Sequence, residues 1–261
     1  MDLHLSGKTA VVTGASKGIG LAITQALVDA GAHVVAGSRS RGGGLGAMEK
    51  AGALTFVPAD LSQPGGADDL VAAAADRGGI DVLVNNVGAV TVQPGGIARV
   101  TDDQWQASWE LNVMGTVRPT RAALPQMYRR GGGSIVIIGS VNAYYPDPGI
   151  YDYCATKAAV TNFGKALSKE LGPKNIRVNS ISPGPVTTGL WLDEGGVADT
   201  IAEASGQTPE DVRSATAGAS SMGRFTTPEQ VADLVVFLAS DRSANITGSD
   251  LRIDGGFVTT I

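Results

Sequence analysis

Thr9-Ala10-Val11-Val12-Thr13-Gly14-Ala15-Ser16-Lys17-Gly18-Ile19-Gly20 decides the fold. A short apolar, partly β-branched run enters a glycine-rich turn, and a helical pattern follows over 18–30. A strand that passes through glycines into a helix N-terminus opens a doubly wound α/β sheet. Glycines here permit a tight turn and let backbone N–H groups approach a pyrophosphate at the positive end of the helix. The spacing of Gly14, Gly18 and Gly20 is Gly-x-x-x-Gly-x-Gly, with Ser16, Lys17 and Ile19 between, rather than Gly-x-Gly-x-x-Gly. The turn does not close on Gly-Lys-Ser/Thr, which argues against a nucleoside triphosphate loop.

Outward from this stretch, apolar runs at 9–13, 33–37, 54–58, 81–85, 134–139, 177–182 and 251–253 read as strands. They are mostly continuous rather than alternating, as expected where both faces are covered. Helical patterns lie between them at 18–30, 67–76, 102–129, 152–171 and 228–240, and Pro125 is positioned to kink or end the third. This alternation predicts a parallel sheet of about seven strands with helices on both faces. Neither a linker nor a repeat interrupts it, so residues 1–261 read as a single domain, with an insert at about 189–225.

Composition narrows the function. Hydrophobic residues make up 43% of 261 and charged residues 17%, enough for a buried core. A net charge of −5 without a basic stripe gives no support to nucleic-acid binding. One cysteine and two distant histidines, His4 and His33, offer neither a disulfide framework nor a metal-ligand cluster. The N-terminus lacks a signal-peptide layout, and no apolar run approaches the ~18 residues of a membrane span. A cytoplasmic protein is expected. The 36 glycines cluster at turns, and Gly42-Gly43-Gly44 reads as plain loop.

The end of the second strand distinguishes NAD from NADP, because an acidic residue there would accept from the adenosine ribose 2′-hydroxyl. No Asp or Glu occurs from Ala32 through Met48; Ser38, Arg39, Ser40 and Arg41 follow the strand instead. With Lys17 in the glycine turn, these cations suit a 2′-phosphate, so NADP(H) is expected, read by Lys17, Ser38 and Arg39. The alternative is that the arginines are solvated loop charges.

Tyr153 and Lys157 lie four residues apart in a helical pattern, hence side by side on one face. A free phenol ionises near pH ~10, and a neighbouring ammonium is expected to pull that value down, giving a proton donor and acceptor.

Taken together, these motifs resemble the short-chain dehydrogenase/reductase family in its compact single-domain branch, a Rossmann fold. Residues 13–20 resemble its glycine motif and Asn85-Asn86-Val87-Gly88 its Asn-Asn-Ala-Gly element, with Val87 in place of Ala. Asp60, followed by Leu61, matches the aspartate near the adenine ring. Pro183-Gly184-Pro185-Val186-Thr187-Thr188 resembles the segment that holds the nicotinamide carboxamide through Val186 and Thr188. Residues 246–248 and 254–256 resemble the closing segment. The resemblance implies Asn112, Ser140, Tyr153 and Lys157 as the catalytic four. Tyr153 would protonate the carbonyl oxygen and Ser140 orient it. Lys157 would lower the Tyr153 pKa and hold the nicotinamide ribose, while Asn112, mid-helix, would anchor a proton-relay water. It also implies Gly14, Ser16, Lys17, Gly18, Ile19, Gly20, Ser38, Arg39, Asp60, Leu61, Asn86, Val87, Gly88, Pro183, Gly184, Val186 and Thr188 around the cofactor.

A serine hydrolase would need Gly-x-Ser-x-Gly and a histidine after the serine, and Ile138-Gly139-Ser140-Val141-Asn142 provides neither. A non-catalytic NADP-binding sensor would not need the proton donor. Cys154 reads as a small packed residue. The 189–225 insert reads as an apolar-lined lid over a moderately apolar ketone or its secondary alcohol, with Tyr145 and Trp191 as contacts; Trp191 alternatively anchors the loop. The helix at 152–171 is apolar over much of its circumference, so a homo-oligomer, dimer or tetramer, is expected.

Overall fold

A computed structural model describes residues 3–260, within which seven strands form one sheet. The strands are β1 (Thr9–Thr13), β2 (His33–Ser38), β3 (Leu54–Pro58), β4 (Val82–Asn85), β5 (Gly133–Ile138), β6 (Ile176–Pro183) and β7 (Asp250–Ile253). Their order is β3-β2-β1-β4-β5-β6-β7, and every neighbouring pair is parallel. The chain runs outward from β1 to β3 and then returns to lay β4 against β1. The order therefore reverses between β1 and β4, and their C-terminal ends frame the crevice where such sheets bind ligands.

Side-chain alternation explains why helices must cover both faces. Val12, Val34, Ala36, Val136 and Ile138 pack on one face with Ile23 and Leu27 of α1 (Gly18–Asp29). Val231 and Val235 of α10 (Pro228–Ala239) complete that layer. Val11, Val35, Leu83, Ile135 and Ile137 face the other way. There they meet Leu70 of α3 (Asp68–Ala75), Ala123 and Met127 of α5 (Gly115–Arg130), and Val160 and Leu167 of α6 (Tyr151–Leu171). Fully buried aliphatic side chains of this size each contribute roughly 1.5–3 kcal/mol. At Thr227-Pro228-Glu229-Gln230 a reciprocal capping box, with proline in the first turn, starts α10.

The structure refines the expected helices. A six-residue helix, α2 (Leu45–Lys50), follows β2 unannounced. The helix expected at 102–129 runs without a gap from Asp102 to Arg130, but a π-turn over Glu110–Met114 lies within it, between α4 (Asp102–Trp109) and α5. Pro125 does not end that helix, which continues to Arg130. The carbonyl that loses its donor belongs to exposed Arg121, within reach of water, while Ala123 and Met127 anchor the helix to the sheet.

Gly42-Gly43-Gly44 is not plain loop. A Cβ on Gly42 would stand 2.0 Å from the Ser16 carbonyl oxygen, and one on Gly44 would meet Leu21 at 2.8 Å. The run thus packs against the glycine turn, and only Gly43 faces open space.

The 189–225 region folds as α7 (Gly189–Leu192), α8 (Val197–Ser205) and α9 (Pro209–Gly218). Ala198, Ala202 and Val212 form a small cluster of their own, with Trp191 and Ile201 against it.

Candidate active site and cofactor cleft

The glycine turn is locked to the end of β4. Asn86 donates from its amide nitrogen to the Thr13 and Gly14 carbonyls, at 2.9 and 3.1 Å. The Thr13 hydroxyl accepts from the Asn86 and Val87 N–H groups. Gly14 and Gly18 have φ of +66° and +53°, a region that favours glycine. A Cβ on Gly20 would lie 2.1 Å from the Gly14 carbonyl oxygen and 2.5 Å from the Asn86 amide nitrogen. Lys17 precedes α1 in extended backbone, and no side chain caps the helix, so its first N–H groups have no side-chain acceptor. Ile19 packs against the adjacent core. Across the crevice, a Cβ on Gly18 would approach the Thr188 methyl to 3.3 Å.

The segment after β6 is held by a parallel bridge between Val186 and Thr226, with Thr187 donating to the Thr226 carbonyl at 2.9 Å. Gly184 lies so close to Asp254 that a Cβ would come within 2.9 Å of it. Pro183 through Thr188 are thus brought opposite the glycine turn. This backbone fits a dinucleotide: glycines without room for side chains, a helix N-terminus without an anion, and a second wall at Thr188.

At the end of β2, the Ser38 hydroxyl donates to the Ser40 carbonyl. Arg41 pairs with Glu49 at 2.9 Å and stacks on Phe56. Among the described residues Arg39 and Lys17 have no ion-pair partner. Beyond β3, Asp60 accepts from the Ser62 hydroxyl at 2.7 Å and from its N–H, and that bonding holds the Asp60 carboxyl below the ordinary carboxylate range. The Leu61 side chain is buried in the core, and its carbonyl accepts from Arg118. Val87 places a methyl where a Cβ on Gly115 would come within 3.0 Å, so the space left by that glycine accommodates it.

Ser140, Tyr153, Lys157, Asn112 and Gly88 converge beyond β4 and β5. Ser140 is buried just after β5; its hydroxyl accepts from the Asn142 N–H and donates to the Asn142 side-chain oxygen, both at 3.1 Å, and it favours the Tyr153 phenolate. Lys157 is 4% exposed, donates to the Ile138 carbonyl at 2.9 Å, and lies 5.5 Å from the Tyr153 ring centroid. A Cβ on Gly88 would stand 2.8 Å from the Asn112 oxygen and 3.3 Å from the Lys157 ammonium. Asn112, 1% exposed, lies mid-helix, within the π-turn that joins α4 to α5. Its side chain exchanges two hydrogen bonds with the Ala89 backbone and donates to the Ser108 carbonyl. Cys154 is packed, and burial pushes its thiol up.

The electrostatics reverse one expectation. Burial pushes Tyr153 up to about 12, opposed by the Ser140 hydroxyl, and burial alone lowers Lys157 to about 8. Desolvation penalises the phenolate and the ammonium alike. The Lys157 ammonium is bonded to the Ile138 carbonyl, and it does not bring the phenol into the neutral range.

Sequence reasoning did not find Arg118, which is buried beneath the adenine-side loop, or Gly42 behind the glycine turn. It also did not find Gln93, whose amide donates to buried Asp152 beside Tyr153. Trp191 packs edge-on against Phe225 at 5.3 Å, which supports the loop-anchor reading; Tyr145 stacks edge-on with Phe257 and stays partly exposed.

The sheet order and the crevice define a Rossmann-type oxidoreductase. A family model described as Enoyl-(Acyl carrier protein) reductase matches residues 14–258. Human dehydrogenase/reductase SDR family member 4 is 36% identical over 97% of this chain and 88% of its own length. The 3-oxoacyl-(acyl-carrier-protein) reductase FabG of Thermotoga maritima is 34% identical over 98% of this chain and all of its own. The solved structure of L-sorbose reductase from Gluconobacter frateurii, complexed with NADPH and L-sorbose, is 37% identical. It superposes with a TM-score of 0.91 over the whole of both chains. The chain belongs to the short-chain dehydrogenase/reductase family.

Proposed function

We propose that this chain is an NADP(H)-dependent carbonyl reductase that interconverts a ketone and its secondary alcohol. The observation that carries the reading is buried Lys157, 5.5 Å from the Tyr153 ring and bonded to the end of β5 that Ser140 follows, at the crevice that the glycine turn opens. Arg39, attracted by Asp60 but in no ion pair, and Lys17, likewise in no ion pair among the described residues, support NADP(H) over NAD(H), as does the NADPH-bound sorbose reductase.

Bound NADPH supplies a hydride to the carbonyl carbon. Ser140 donates to the carbonyl oxygen and fixes its orientation. Tyr153, protonated at neutral pH, gives its proton to that oxygen. Lys157, lowered to about 8, is acidic enough to return a proton to Tyr153. Asn112 shapes the proton path from the π-turn, holding the 89 loop against Lys157.

Residues 189–225 act as a lid within a single domain. Exposed Leu190, Leu192 and Met222, with Tyr145, favour a moderately apolar ketone. A polyhydroxy ketone is the second reading, favoured by the full-length likeness to L-sorbose reductase. Exposed Ala155 and Ala166 on α6 support a homo-oligomer, which sedimentation would detect. A cytoplasmic setting, with its supply of NADPH, accords with this activity.

The test is a spectrophotometric panel of apolar ketones and ketoses with NADPH and NADH, run beside Tyr153→Phe. Turnover favouring NADPH, abolished in that variant with cofactor binding intact, is expected. Near-normal turnover in Tyr153→Phe, or preference for NADH, would overturn the respective assignment.

A further inference from the structure

Arg118 is an arginine in the body of α5, 9% exposed, and its guanidinium binds three acceptors on two segments of chain. It donates to the Leu61 carbonyl at 3.2 Å, to the Ser62 carbonyl at 2.8 Å, and to the Glu110 carboxylate. Leu61 and Ser62 belong to the loop after β3, where Ser62 holds the Asp60 carboxylate by its hydroxyl and N–H. Glu110 opens the π-turn that contains Asn112.

The π-turn makes this bridge possible. At about 100° per residue, side chains eight apart on an unbroken α-helix point about 80° apart. A π-turn absorbs one extra residue and rotates the following helix back by about one residue's angle, which brings the two positions within about 20°. Glu110 and Arg118 then lie along one line and close on each other. Hydrogen bonds thus link Asp60 to Ser62 and Ser62 through Arg118 to Glu110, and the backbone of the π-turn joins Glu110 to Asn112, which bonds the Ala89 backbone.

We propose that Arg118 is a positioning residue that couples the adenine-side loop to the Asn112 turn, so that cofactor affinity and the proton path depend on one buried guanidinium. It touches neither cofactor nor substrate and acts through Ser62 and Glu110. The inference rests on the reading of the cleft as an NADP(H) site. Loss of the guanidinium would leave two loop carbonyls without this donor and a partly buried carboxylate with only the Gln106 amide, and both segments would relax. A single ammonium can serve only part of this forked arrangement.

The experiment compares Arg118→Met, which keeps the bulk of the stem, with Arg118→Lys in the full-length protein. NADPH affinity is read by fluorescence titration without substrate, kcat across pH by turnover, and folding by circular dichroism and thermal melting. Arg118→Met is expected to raise the NADPH Kd tenfold or more and lower kcat. It should also move the alkaline limb of kcat upward, because water entering at the loosened turn relieves the desolvation of Lys157. Arg118→Lys should recover part of each. Should Arg118→Met fail to fold, Glu110→Gln removes the charge from the same link, and the upward pH shift is expected there. A folded Arg118→Met with Kd within twofold of wild type and an unmoved pH limb would overturn the proposal, as would a folded Glu110→Gln with an unmoved limb. Failure of the underlying reading is distinguishable, because the wild-type protein would then show no NADPH binding or turnover.

Discussion

The ammonium of Lys157 lies 2.9 Å from the carbonyl oxygen of Ile138, the last residue of β5, and is bonded to the strand end rather than to an acidic partner. Burial therefore acts on it uncompensated and lowers it to about 8, while Tyr153 rises to about 12. Below pH 8 both groups are protonated, the state that ketone reduction requires. Above pH 8 Lys157 loses the proton it must return to Tyr153. The kcat for reduction at saturating NADPH should fall beyond pH 8, approaching tenfold per unit, in a profile from 6.5 to 9.5. A flat profile to 9.5 would remove Lys157 from the proton path.

The same burial predicts a trade of stability for activity. Lys157 falls from an ordinary 10.5 to about 8 on folding. Between those values the unfolded chain holds a proton that the folded chain does not, so stability rises with pH through that window and the cost is fully present below 8. That cost is on the order of 3 kcal/mol, less about 1 kcal/mol for the hydrogen bond to Ile138. Lys157→Met should thus raise the melting temperature at pH 7 by about 4 °C or more, a gain that vanishes above pH 10.5, while turnover collapses. Paired thermal melts at pH 7 and 10 measure it. A variant less stable than wild type at pH 7 would show that the ammonium stabilises the fold.

The strands and the glycine turn were legible because their signals are local. Continuous apolar runs mark doubly covered strands, and Gly14, Gly18 and Gly20 carry their own spacing. Tyr153 and Lys157 were legible for the same reason. What escaped depends on distance along the chain. The partners of Arg118 lie 8, 56 and 57 residues away, and no periodicity announces them. The π-turn shifts the helix register by one residue, which leaves no mark on a 3.6-residue pattern. The upward displacement of Tyr153 arises from burial by other segments, whereas spacing alone reports only that a lysine is near.

The glycine run after β2 gives a test that separates close approach from flexibility. Gly20 and Gly42 would place a Cβ 2.1 and 2.0 Å from backbone oxygens of the same turn, at Gly14 and Ser16, whereas Gly43 meets nothing within 4 Å. None of the three has a positive φ, so alanine differs only in its methyl. Gly20→Ala and Gly42→Ala should each weaken NADPH binding tenfold or more and lower stability by about 1–3 kcal/mol, the range for overpacking. Gly43→Ala should stay within about 0.5 kcal/mol of wild type. Equal behaviour of Gly42→Ala and Gly43→Ala in titration and melting would return the run to plain loop.

The two arginines after β2 differ in what they already hold. Arg41 is engaged by Glu49 at 2.9 Å and by the Phe56 ring at 5.1 Å, whereas Arg39 has no ion pair among the described residues and feels only a longer-range attraction to the Asp60 carboxylate. A guanidinium bound to a 2′-phosphate contributes about 1.5–3 kcal/mol through charge-assisted hydrogen bonds, equivalent to roughly 10–100-fold in affinity. Arg39→Ala should therefore lower kcat/KM for NADPH by that factor and leave NADH nearly unchanged, since NADH carries no 2′-phosphate. Arg41→Ala should affect both cofactors little, because its charge is already neutralised within the protein. Parallel kinetics with NADPH and NADH decide the assignment. A larger NADPH-specific loss in Arg41→Ala than in Arg39→Ala would show that the Glu49 pair opens to serve the phosphate, with Arg41 as the reader.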